Sequence, residues 1–292
     1  MSDQTSGSND PGDGENVRDG GAQGGGEGDN TPELDLARLR VDVPHSARIY
    51  DYILGGKDNF EADRAAAAEI VKYQPTIPRS MRGNRAFMAR MTRHLVTEFG
   101  ITQFLDVGTG LPTSPNLHEA AQQVDPTCRI LYVDNDPIVL VHARALLRSN
   151  PAGRTSYLDA DLRDPAGILD SDQFHETLDL KRPIALTLIA IMQMFEDDEE
   201  AHGLVRRLVE PLAPGSTLSM TIVPDDPEVE AGSAIYRARG LPMRTRSKAE
   251  AERFFDGLEL IDPGVTRSTH WHPEGVPETG ENHMYAGVAI KR

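Results

Sequence analysis

Short apolar runs recur through the middle of the chain at intervals that a helix fills. This alternation constrains the fold more than any other feature. TQFLDV (102–107), RILYVD (129–134), TSYLDADL (155–162), PIALTLIAI (183–191) and GSTLSMTIV (215–223) each read as a strand. PIALTLIAI has the length and flanks of a central strand buried on both faces. SPNLHEAAQQV (114–124), PIVLVHARALLRSN (137–150) and EDDEEAHGLVRRLVEPL (196–212) read as helices. Ser114 and Pro115 are placed as cap and first helical residue of the first, Pro137 opens the second, and acids crowd the first turn of the third. Upstream, NRAFMARMTRHLVTEFG (84–100) sets Phe87, Met88, Met91, Leu95 and Phe99 at helical spacing and stops at Gly100. Downstream, 226–240 and 247–257 read as further helices, the latter capped by Ser247, and LELIDPGV (258–265) and HMYAGVAIKR (283–292) as closing strands. Strand and helix in alternation predict a doubly wound, Rossmann-like α/β domain with a mostly parallel sheet covered on both faces.

Residues 1–30 contain no Leu, Ile, Phe, Trp or Tyr, and Arg18 is their only basic side chain. Such a segment cannot bury enough apolar area to offset its ordering entropy, so 1–40 is expected to be a disordered acidic, Gly-rich tail. The remaining length suits one large domain, with 41–83 as an N-terminal helical segment and 84–292 as the core. A net charge of −16 argues against a nucleic-acid or anionic-membrane partner. No apolar run reaches membrane-spanning length and no leader pattern opens the chain, so a soluble, cytoplasmic protein is expected. The single cysteine, Cys128, lies in a strand pattern and reads as an inert core thiol.

The first strand ends in FLDVGTGLPT. Gly108 and Gly110 permit backbone angles and close approach that a Cβ forbids. The dinucleotide fingerprint needs a third glycine, and Thr113 stands in its place. Pro112 and Pro115 also remove donors that a pyrophosphate would use, which disfavours NAD. Asp106, beside the glycines, is a poor neighbour for phosphate and a good one for a cation. Asp134 ends the second strand, where an acid accepts from ribose hydroxyls. Asp161 ends the third, where a carboxylate can accept from an adenine amino group. S-adenosylmethionine (SAM), cationic and free of phosphate, matches this set.

YDYILGGKDNF (50–60) precedes the core. Tyr50, Ile53 and Leu54 share a helical face, Gly55–Gly56 ends that helix, and Lys57–Asn59 form a polar turn. The unit is expected to fold over the cofactor cleft as a lid, with Arg48, Tyr50 and Lys57 near the ligand. The His270/His272 pair lacks a clear third ligand, and no metal site is expected.

Those stretches, with RGNRAFMARM, ILYVDNDPIVLVHARALL, RPIALTLIAIMQMFEDD and FFDGLELIDPG, resemble the actinobacterial SAM-dependent methyltransferase family first catalogued as DUF574, from about Pro44 onward. The resemblance implies a class I methyltransferase fold of seven strands, the last antiparallel. It implies that Asp106, Gly108 and Gly110 line the methionine part of the cofactor, Asp134 the ribose, and Asp161 with Leu162 the adenine; Asn135 is a further cofactor-binding candidate. The sequence departs at AIMQMFEDD, where Gln193 stands in place of an expected histidine; glutamine cannot serve as a general base at neutral pH. No catalytic base is identified. Tyr50, Met192, Gln193 and Phe195 are the candidate acceptor-side residues. The expected activity is methyl transfer to a small molecule; a non-catalytic SAM- or S-adenosylhomocysteine-binding regulator is the alternative.

Overall fold

The computed structural model describes residues 40–146, 149–274 and 284–292. The expected 1–40 tail therefore falls almost wholly outside the described residues. Three helices come first: α1 (Ser46–Ile53), α2 (Glu61–Tyr73) and α3 (Ile77–Phe99). Strands β1 (Gln103–Val107), β2 (Arg129–Asp134), β3 (Arg154–Asp159), β4 (Ala185–Ile189) and β5 (Thr217–Ile222) follow. They are connected through α4 (Leu117–Val124), α5 (Pro137–Leu146), α6 (Pro165–Leu169), α7 (Asp172–Thr177) and α8 (Asp198–Val209). The last part holds α9 (Pro227–Ala238), α10 (Lys248–Glu252), β6 (Glu259–Leu260), β7 (Thr266–Arg267) and β8 (Tyr285–Ile290).

The sheet order is β3-β2-β1-β4-β5-β8-β6, with β7 pairing on β8. β1 to β5 are mutually parallel, and β8 runs antiparallel to β5. Alternating side chains divide between two cores, as the two-residue strand period requires. Leu105, Val107, Leu131 and Val133 pack with α8, whereas Phe104, Ile130 and Tyr132 pack with α3 and α4. The chain winds outward from β1 in one direction and from β4 in the other. The crevice outside the carboxyl ends of β1 and β4 is thus the switch point where such sheets bind ligands.

Three local expectations need correction. Helix α3 begins at Ile77, so the boundary drawn at 83/84 falls inside one continuous helix. Ile77, Met81, Met88 and Leu95 keep a single buried face across it, and Gly83 is buried mid-helix without breaking the pattern. Helix α4 begins at Leu117 with Asn116 as cap, two residues later than Ser114 suggested. Glu119 fixes that start by accepting from the Asn116 N–H at 2.8 Å and the Ser114 hydroxyl at 2.9 Å. LELIDPGV is not one strand: Pro263 and the left-handed Gly264 (φ 76°) turn the chain between the two-residue β6 and β7.

Gly100 ends α3 in the left-handed conformation (φ 63°), and Ser247 caps α10 with Glu250 bonding back to it. Cys128 is fully buried, and burial pushes its thiol up to about 12, so it stays protonated and inert.

Helices α1–α3 dock on α9 through a separate apolar cluster that includes Ile49, Ile70, Met81, Tyr236 and Met243. Glu228, in the first turn of α9, accepts from the Thr76 N–H (3.1 Å) and hydroxyl (2.7 Å). The N-terminal helices and α9 are thereby joined above the switch point.

Candidate cofactor and acceptor site

The turn after β1 depends on its glycines for two separate reasons. Gly108 has φ 75°, and a Cβ there would lie 2.8 Å from the Ile191 side chain. Gly110 has φ 67°, and its N–H donates to Asp134 Oδ2 at 2.8 Å. The Gly108 and Thr109 N–H groups both donate to Val133 O. All three amide protons of the turn are consumed within the protein, so none is offered to a phosphate. That donor set suits a cofactor without phosphate.

Asp106, the penultimate residue of β1, is 8% exposed and accepts from the Thr187 hydroxyl at 2.5 Å. Burial pushes its carboxyl up to about 6, partly offset by the Thr187 hydrogen bond and by the Arg85 guanidinium. Asp134 is likewise raised by burial, against the Asp136 and Gly110 N–H bonds that favour its anion. Asp161 lies in the turn after β3, where its carboxylate accepts from Asn135 Nδ2 (3.0 Å) and the Arg163 N–H (2.8 Å). Three carboxylates therefore converge from three neighbouring strands on one cleft, Asp106 and Asp134 buried and Asp161 partly exposed.

That cleft opens into a cavity of about 420 Å³. Asp106, Gly108, Gly110, Asp134, Asn135 and Asp161 line it, as do Leu162, Tyr50, Gln193 and Phe195. Tyr50 reaches it from α1; its hydroxyl donates to Met81 O (3.2 Å) and accepts from Asn84 Nδ2 (3.1 Å), and burial raises its pKa. The arrangement can hold a nucleoside with a cationic substituent and, beside it, an apolar second ligand.

Three expected residues are elsewhere. Lys57 is exposed and does not line the cavity, because the turn folds back on α1: Asp51 accepts from the Asp58 N–H and Asn59 Nδ2 and leaves Lys57 facing water. Arg48 is buried away from the cavity, paired with Asp63 at 3.5 Å and donating to the carbonyls of Arg40 and Val43. Met192 is fully buried in the core under β4. The short 3-10 turn Met192–Met194 sends Met194 to the cavity instead.

Other residues of the site carried no strong signal in the sequence: His45, Arg85 and Ala190 line the cavity, and Arg246 supports it from outside the lining. His45, just ahead of α1, contacts Asp136 (Nδ1 to Oδ2, 3.1 Å) and links the N-terminal helices to the β2–α5 turn. Arg85 of α3 holds the glycine turn by donating to the Thr113 and Pro115 carbonyls. Arg246 is fully buried and donates to Met192 O (2.8 Å) and Phe195 O (2.9 Å), gripping both ends of the turn after β4. Its charge is met by Asp198 at 2.9 Å. Ala190, in the same connection, adopts φ 54°, a strained angle for a non-glycine residue.

His270 and His272 are exposed on either side of the fully buried Trp271. His272 Nε2 lies 2.7 Å from Asp262 O, and no group of three metal-ligating side chains occurs among the described residues.

A parallel sheet in this order, its last long strand antiparallel and three acids at successive strand ends, defines a class I methyltransferase. The chain belongs to the S-adenosyl methyltransferase family, whose model matches residues 32–292, and it is a SAM-dependent methyltransferase. It is 50% identical to a DUF574 family protein from Streptomyces avermitilis, over 86% of this chain and 99% of that one, with a TM-score of 0.84. A candidate methyltransferase from Thermobifida fusca is 39% identical over 89% of this chain and 98% of its own (TM-score 0.80). Magnesium protoporphyrin IX methyltransferase from Synechocystis, solved with S-adenosylhomocysteine (SAH) bound, shares the fold at 12% identity and a TM-score of 0.50, over 84% and 93% of the two chains. No curated protein matches the chain.

Proposed function

We propose that this methyltransferase acts on a small molecule, taken up beside SAM in the cavity between the sheet and the N-terminal helices. Asp106 and the Gly108–Gly110 turn hold the methionine end of the cofactor, Asp134 and Asn135 the ribose, and Asp161 and Leu162 the adenine. When bound, SAM supplies a methyl group on a sulfonium. Asp106 favours that cation electrostatically, and the turn after β4 holds the acceptor in line with it. Such alignment is worth roughly 7–11 kcal/mol in near-attack geometries.

Helices α1 and α2 with the start of α3 act as the cover that excludes water, carrying His45 and Tyr50 to the cavity. The observation that carries the proposal is that the three acids and the apolar wall line one cavity of about 420 Å³, the size of small-molecule sites. The acidic lining and the net charge of −16 oppose a nucleic-acid acceptor. A cytoplasmic setting belongs to this reading; no described helix is long and apolar enough to cross a membrane.

Calorimetry on Asp106→Ala and Asp134→Ala tests the cofactor assignment; SAH affinity equal to wild type in both would refute it. Labelled methyl transfer into the low-molecular-weight fraction of a cell extract, and not into its protein or nucleic-acid fractions, tests the acceptor class.

A further inference from the structure

The cavity is electrically divided. Its charged lining residues are Asp106, Asp134 and Asp161 at the strand ends, Arg85 and Arg163 beside them, and His45 and Asp51 of the α1 segment. The wall built from the start of α3, the turn after β4, α9 and residues 241–243 contributes none. That wall is a continuous apolar cluster in which Ile77, Met81, Met194, Tyr236, Leu241 and Met243 pack together.

Methionine is concentrated there. Of nine in the chain, five line the cavity: Met81, Met88, Met194, Met243 and Met284. Thioethers are polarizable, adapt their shape to a guest and pack favourably against aromatic rings. A charged acceptor would lose its hydration against this wall with no counter-ion in return.

Uncharged polar side chains interrupt the apolar surface: Ser80 and Asn84 of α3, Gln193, and Ser233 and Tyr236 of α9. Tyr236 is 5% exposed and lines the cavity, where its hydroxyl can meet a ligand. Burial also raises its pKa, so it stays a neutral phenol able to donate and accept.

Gln193 is also 5% exposed. Its Nε2 donates to Ala190 O at 2.5 Å, and its Oε1 has no partner. Because a carbonyl only accepts, Ala190 fixes which end of the amide is nitrogen. The backbone of Gln193 is held in turn by the Arg244 N–H at 2.8 Å. The Tyr236 hydroxyl and the unpartnered Gln193 amide oxygen, on a wall without charge, suit one ligand that both donates and accepts.

We propose that the methyl acceptor is an uncharged, planar, aromatic molecule bearing a hydroxyl, seated among the cavity methionines with its polar edge at Tyr236 and Gln193. This rests on the reading of the cavity as a joint cofactor and acceptor site.

The test measures binding to the full chain saturated with SAH, with 2-naphthol, naphthalene and 2-naphthoate as matched probes. 2-Naphthol is expected to bind saturably, and both naphthalene and 2-naphthoate at least about tenfold more weakly, the first lacking the polar edge and the second carrying an unpaired charge. Tyr236→Phe and Gln193→Leu are each expected to weaken 2-naphthol by about 3- to 10-fold while SAH affinity stays at the wild-type value. Equal or tighter binding of 2-naphthoate, no binding of 2-naphthol, or wild-type 2-naphthol affinity in both variants overturns the proposal. Failure of SAH itself to bind is a separate result, and it removes the underlying cavity reading together with the proposal.

Discussion

The carboxyl of Asp106 is held ionised in a place that resists ionisation, and a single isosteric change exposes the cost. Its folded-state pKa of about 6 lies roughly two units above the ordinary 3.8, with burial as the main cause. At 1.36 kcal/mol per unit, the charged group costs the ligand-free fold about 3 kcal/mol at pH 7. Asp106→Asn keeps the shape and leaves an acceptor for the Thr187 hydroxyl, but removes the charge. The ligand-free variant should therefore be more stable than wild type. At about 2–4 °C per kcal/mol for a large domain, its melting temperature rises by roughly 6–12 °C at pH 7.

The direction with pH follows from the same shift. An acid with a raised folded-state pKa binds its proton more tightly when folded. Stability is thus gained as pH falls from 7 through about 6 toward 3.8, and lost again as pH rises. The difference between variant and wild type should shrink steadily between pH 7 and pH 5. Cofactor affinity moves oppositely. Hydrogen bonds to charged groups contribute about 1.5–3 kcal/mol, so the variant binds SAM roughly 10- to 100-fold more weakly. Differential scanning calorimetry across pH, paired with titration calorimetry, reads both. A variant that melts below wild type at pH 7, or a difference independent of pH, would refute the claim that Asp106 is a destabilising charge kept for the ligand.

Wild-type SAM affinity should fall about tenfold per pH unit below about 6, as protonation of Asp106 removes the favourable charge; a flat profile down to pH 5 counts against it. Gly108→Ala places a Cβ against Ile191 at a left-handed φ, so a loss of about 1–3 kcal/mol in urea unfolding is expected. Arg246→Met removes both carbonyl contacts to the turn after β4, and it should lower kcat/KM for the acceptor while leaving SAH affinity near wild type. Glu228→Gln keeps an acceptor for Thr76 and should cost under about 1 kcal/mol, whereas Glu228→Ala removes both bonds and should cost about 1–3 kcal/mol by denaturant unfolding.

The two halves of the site differ in how far sequence can reach them, and the difference is one of chain distance. Asp106, Asp134 and Asp161 stand at or just beyond the ends of apolar runs, so locating each strand also located its acid. Parallel pairing in register then brings the acids together without further information: Asp106 pairs with Tyr132, and Asp134 with Asp159. The apolar wall has no such shortcut. It joins Met81, Met194, Tyr236 and Met243, contributed by α3, the turn after β4, α9 and a loop. No periodicity announces that these segments meet, because the meeting is enforced by α1–α3 docking on α9 through Ile70, Tyr236 and the Thr76–Glu228 bonds. At short range, the swap of Met192 for Met194 turns on a 3-10 turn of three residues, a register that side-chain chemistry alone does not set, since both are methionine. Arg246 makes the same point from the opposite side. An arginine in MRTRS reads as surface, yet the Met192 and Phe195 carbonyls and the Asp198 carboxylate draw it fully inside. In the proposed reading, cofactor recognition is written at the strand ends, with Arg85 of α3 steadying the glycine turn, whereas acceptor recognition is a property of the docked helices. Substitutions at α9 and residues 241–243 should therefore change specificity without disturbing the acids proposed to hold SAM.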